Sequence, residues 1–133
     1  MKLYIASLLL ICMIVPITGC AHFSYDSKAL LGIGIQDLES ARSSGIERTF
    51  TLPYEDLFNT VKTILDQNNI TIYQQNMEKK YIVAMGFEKQ VTTTRVGIFF
   101  DTISNDQTKI TLSSLSKTTI IKAEDIIFGA LPE

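Results

Sequence analysis

Pro53-Tyr54-Glu55-Asp56-Leu57-Phe58-Asn59-Thr60-Val61-Lys62-Thr63-Ile64-Leu65-Asp66-Gln67-Asn68-Asn69 is the stretch whose period decides the fold. Its apolar residues Leu57, Phe58, Val61, Ile64 and Leu65 recur at i, i+1, i+4, i+7 and i+8, which makes a single stripe along an α-helix. The opposite face carries Glu55, Asn59, Lys62 and Asp66. Pro53 suits the start, because its fixed φ is already helical and its missing amide hydrogen is not needed there. Glu55 and Asp56 follow where the helix dipole is positive, and Asn68-Asn69 tolerates the left-handed backbone that ends a helix. One amphipathic helix needs one apolar surface to lie on.

The flanking sequence supplies that surface as strands. Arg48-Thr49-Phe50-Thr51-Leu52 alternates polar and apolar residues ahead of the helix. Behind it, residues 70–75 and 81–87 are rich in β-branched and aromatic side chains and are separated by the polar turn Asn76-Met77-Glu78-Lys79-Lys80, which predicts an antiparallel hairpin. Residues 91–102 predict a third strand of the run, with Val96, Ile98 and Phe100 on one face. Gly97 within it marks a bulge or a place where another backbone comes close. The turn Ser104-Asn105-Asp106-Gln107 leads to a strand over 108–113. Ile120, Ile121, Ala123, Ile127, Phe128 and Leu131 then predict a short C-terminal helix, with Glu124 and Asp125 on its polar side and Pro132 beyond its end. The expected architecture is α+β: a small antiparallel sheet of four to five strands with the long helix on one face and the short C-terminal helix beside it. The expected core is Phe50, Leu57, Val61, Ile64, Leu65, Ile98, Phe100, Ile110 and Leu112.

The N-terminal part has a different logic. Lys2 precedes the apolar run Leu3 to Val15, which is too short to span a bilayer and stops at Pro16. Ile17-Thr18-Gly19-Cys20 follows and resembles the lipobox of bacterial lipoproteins. The resemblance implies a thioether-linked lipid on Cys20, fatty acyl chains such as palmitate, and signal-peptide cleavage between Gly19 and Cys20. Ala21, where an Asp would favour inner-membrane retention in enterobacterial lipoproteins, is similar to the pattern of proteins sent to the outer membrane, facing the periplasm. Cleavage after residue 19 of 133 leaves 114 residues, and loss of Lys2 takes the formal charge from −2 to −3. Cys12 leaves with the signal and Cys20 carries lipid, so no intramolecular disulfide is expected. The expected organisation is a signal peptide over 1–19, a lipidated N-terminus and flexible tether over 20–46, and one globular domain over 47–133. The tether has neither helix nor strand period, and residues 37–42 form at most one helical turn. As a coil, its roughly 26 residues span about 28 Å.

The run from Phe50 to Leu131, with Thr93-Thr94-Arg95-Val96-Gly97-Ile98-Phe99-Phe100 and Ser113-Ser114-Leu115-Ser116, resembles small bacterial lipoproteins that carry one compact β-α-β-β-β domain. The β-barrel assembly lipoproteins are similar in layer order. Both resemblances imply a fold and no activity.

Chemistry finds little to work with. The sequence contains no G-x-S-x-G, H-E-x-x-H or Walker loop, and its one histidine, His22, stands beside the anchor cysteine. Gly32-Ile33-Gly34 lacks the third glycine and the preceding strand of a phosphate cradle. Glu55/Asp56 and Glu124/Asp125 read as dipole-compensating acids near helix starts rather than a catalytic pair. Lys79, Lys80, Lys89 and Arg95 read as cations that keep a strand edge soluble. The mild negative charge and the lack of a basic run argue against a nucleic-acid partner. The expectation is therefore a non-enzymatic, lipid-anchored binding or scaffolding module. It uses no cofactor and no metal, and its membrane contact is the N-terminal lipid. Its contact with another envelope component runs through a sheet edge or a polar face containing Thr92, Thr94 and Arg95. The alternative is a small periplasmic enzyme or ligand carrier.

Overall fold

A computed structural model describes residues 34–89 and 93–132. The signal peptide expected over 1–19, the expected cleavage pair Gly19 and Cys20, His22 and Thr92 lie outside the described residues. In chain order the elements are α1 (Ile35–Ser40), a 3-10 turn (Ala41–Ser44), β1 (Ile46–Phe50), α2 (Tyr54–Gln67), β2 (Thr71–Asn76), β3 (Tyr81–Met85), β4 (Arg95–Ser104), β5 (Gln107–Ser113) and α3 (Lys117–Phe128). The five strands make one sheet in the order β1-β5-β4-β3-β2, and every neighbouring pair is antiparallel. The fold is α+β, with β1 and β2 as its two edges.

Helix α2 follows Pro53, whose carbonyl accepts from the Leu57 amide at 3.0 Å. Its C-terminus closes as a Schellman motif. Asn69 takes φ 55°, its amide donates to the Asp66 carbonyl at 3.0 Å, and the Ile70 amide reaches back to Leu65 at 2.9 Å. All five stripe residues are buried against the sheet, in a core shared with Phe50, Ile82, Ala84, Val96, Ile98, Phe100, Ile110 and Leu112. Every residue of the expected core is in this cluster. Helix α3 packs into it through Ile120, Ala123, Ile127 and Phe128, and is capped by Ser116, whose hydroxyl accepts from the Thr119 amide at 3.3 Å. The buried Thr108 hydroxyl donates to the Leu52 carbonyl at 3.0 Å, which ties the chain between β1 and α2 to β5.

Some expectations need correction. The tether expected over 20–46 is not a coil from Ile35 onward: residues 35–44 are helical and docked on the sheet face opposite α2 and α3. Local period is weak there because this short helical segment fully buries only one residue, Leu38, and that residue finds its partners in β3 and β4. The third strand of the run begins at Arg95 and continues to Ser104, so Thr94 precedes it. Glu124 and Asp125 lie in the second half of α3, not near its start. Glu124 there meets the Arg48 guanidinium at 3.7 Å, so an ion pair rather than the dipole explains it. Gly97 causes no register shift. A Cβ at this position would stand 2.6 Å from the Phe99 ring, so the close approach is by a side chain.

Candidate interaction surface

The sheet's two edges differ in charge. β1 carries Glu47 and Arg48. Glu47 accepts from Lys109 at 3.3 Å and from the Thr111 hydroxyl at 3.2 Å, and the Arg48 guanidinium stacks over the Phe128 ring at 4.9 Å. β2 reads Thr71-Ile72-Tyr73-Gln74-Gln75-Asn76, with no charged residue and no proline, and four of its six residues are exposed. Edges are ordinarily blunted by lysines, prolines or bulges, and of these devices β2 has only the bulge. Its register with β3 shifts between Ile72 and Gln74, leaving Tyr73 as the extra residue.

The bulge aims Tyr73. Its ring lies 3.8 Å from the Arg95 guanidinium carbon while 46% of the residue remains exposed. Gln74 and Tyr81 join side chains at 2.9 Å, which orders the next step of the strand. Beside the edge a groove of about 420 Å³ is lined by Asp66, Asn69, Ile70, Thr71 and Ile72, where the end of α2 meets the start of β2. The arrangement offers main-chain groups, a ring with a cation behind it and a side-chain recess. It can hold an extended segment.

The expected contact residues are only partly brought together. Arg95 starts β4, its carbonyl accepting from the Ser114 hydroxyl at 2.9 Å, and Thr94 lies half-buried just ahead of it. The four cations do not form one cluster. Lys80 sits before β3 with its ammonium 5.1 Å over the Tyr54 ring and 2.8 Å from the Thr102 hydroxyl, whereas Arg95 pairs with Met85 at the far end of that strand. Tyr54 donates its phenol hydrogen to the Met77 carbonyl at 2.6 Å, and burial, then the neighbouring Glu55 carboxylate, pushes its pKa above the ordinary 10.0.

Two groups of residues escaped the sequence reading. The uncharged run of β2 is visible in the sequence itself, but its place at the edge of the sheet is not, because that depends on strand order. Leu38, Arg42 and Asp101 were not legible, because Arg42 and Asp101 meet at 2.8 Å across 59 residues of chain. Among the described residues no group of three or more His, Cys, Asp or Glu side chains is placed to hold a metal ion, and no helix is long and apolar enough to cross a membrane. Compared with known protein families, curated proteins and solved structures, the chain finds no match.

Proposed function

We propose that this chain is a lipid-anchored module of a bacterial envelope that works by binding, and that its partner is an extended segment of another envelope protein, added to β2 as a sixth strand. The observation that carries the reading is the β2 edge itself, an exposed strand with no charge to repel a neighbour. In strand addition the main-chain hydrogen bonds supply affinity and recesses for alternate side chains supply selectivity. The groove at Asp66 to Ile72 and the Tyr73–Arg95 pair stand where such selection would occur. The anchor reading rests on the Ile17 to Cys20 resemblance, and placement at the periplasmic face of the outer membrane rests on Ala21.

Two measurements test the proposal. A photo-crosslinking residue at Thr71 or Gln75 of the full chain in cells captures a discrete envelope protein, while one at Thr49 on the charged β1 edge does not. Equal capture from both edges, or none from β2, overturns the assignment of the surface. Cys20→Ser abolishes labelling by a fatty-acid analogue, and equal labelling of both forms removes the anchor.

A further inference from the structure

The sheet face opposite α2 and α3 is covered by residues 35–44 of the chain itself, and the cover is built like a bound ligand. Leu38 is fully buried among Tyr81, Val83 and Phe99, with Ile35 packed beside it. This cluster is separate from the main core. The Ser113 hydroxyl donates to the Leu38 carbonyl at 2.7 Å, so the receptor face recognises backbone as well as side chain. Arg42 supplies the third anchor. Its guanidinium lies 4.5 Å over the Phe99 ring and pairs with Asp101 at 2.8 Å. Lys109 stands 3.8 Å from the same carboxylate, so Asp101 is held in place from the sheet side.

The receptor's relief is made by small residues. Gly97 leaves room for the Phe99 ring, and a Cβ there would also come 3.1 Å from the Ser113 hydroxyl oxygen. At Gly45 the segment closes onto β5, where a Cβ would stand 2.4 Å from the Leu112 carbonyl oxygen. Between these points the docking determinants are an aliphatic residue, a second aliphatic three positions on and an arginine four further: Ile35, Leu38 and Arg42. A six-residue helix cannot sustain itself off the sheet, because nucleation costs more than so few hydrogen bonds return.

We infer that residues 35–44 are a detachable internal ligand of this face, and that the face accepts in their place an amphipathic helical segment of a partner protein with the same spacing of two aliphatics and an arginine. Release bares Tyr81, Val83 and Phe99 and frees residues 35–45, which fully extended span about 36–40 Å. Displacement therefore exposes a binding surface and frees this stretch of chain in one step. The inference stands apart from lipidation and from the β2 edge, since neither contributes to the docking contacts.

The test uses the full chain and a synthetic peptide of residues 34–45. In native hydrogen exchange, the Ala41 and Gly45 amides exchange about 100-fold or more faster than the Phe100 amide, which is bonded to Lys80 within the sheet region. Exchange of all three at one common rate, that of global unfolding, overturns the inference. The labelled peptide binds the Leu38→Ala chain about tenfold or more tighter than the unaltered chain, whose own segment competes, and Arg42→Ala in the peptide or Asp101→Asn in the chain weakens that binding. Absence of peptide binding to a Leu38→Ala chain with an unchanged circular dichroism spectrum also overturns it. Should Leu38→Ala unfold the whole domain, residues 35–44 are part of the core and the inference fails.

Discussion

On one face the sheet meets α2, which buries Leu57, Phe58, Val61, Ile64 and Leu65, while on the other it meets residues 35–44, which bury Leu38. Each fully buried side chain of this kind is worth about 1.5–3 kcal/mol in area removed from water. The α2 face is therefore anchored several-fold more strongly than the opposite one. The second face compensates with polar contacts, but Arg42 and Asp101 keep 30% and 40% of their side chains exposed, and pairs so wetted contribute only about 0–1 kcal/mol. The difference separates what makes the domain fold from what is attached to it. A layer with many buried contacts opens only with the whole domain, whereas a segment with one buried anchor opens locally.

Three substitutions sharpen or break this comparison. Leu65→Ala on the α2 face should cost about 2–5 kcal/mol in denaturant melts, a large part of what a domain of this size has. A loss below about 0.5 kcal/mol would mean that the α2 stripe does not hold the core. Leu38→Ala removes an equally buried leucine, yet it should cost only about 1–2 kcal/mol, because local release of residues 35–44 caps the loss at their own docking energy. An equal cost at the two sites would erase the distinction between the faces. The smallest effect concerns Tyr54. Because its pKa is raised in the folded state, its contribution is fully present below pH 10.0 and is lost as pH rises through the folded value. Stability should thus decline on the alkaline side, and Tyr54→Phe should flatten that decline in melts taken across the range. A slope unchanged in the variant would assign the decline to other groups.

Sequence legibility follows the same division. The α2 stripe, the hairpin through Asn76 to Lys80 and the alternation of Ile98, Phe100, Ile110 and Leu112 were all readable, because each is a local period imposed by one face turned to the core. The uncharged run of β2 was readable too, although that it lies at an edge was not. Edge position depends on strand order, and β1 pairs with β5 across some sixty residues of chain.

By itself, the sequence determined the fold class, the helix that covers the sheet and the side chains that form its main core. These follow from hydrophobic periods within single elements, where each residue's neighbours are a few positions away. Tertiary structure alone decided that residues 35–44 are docked rather than loose, that Tyr73 lies against Arg95 and that Arg42 meets Asp101. Two aliphatic side chains in a short segment, Ile35 and Leu38, are too few to establish a period, so their burial is set by a complementary surface that exists only after β3, β4 and β5 have paired.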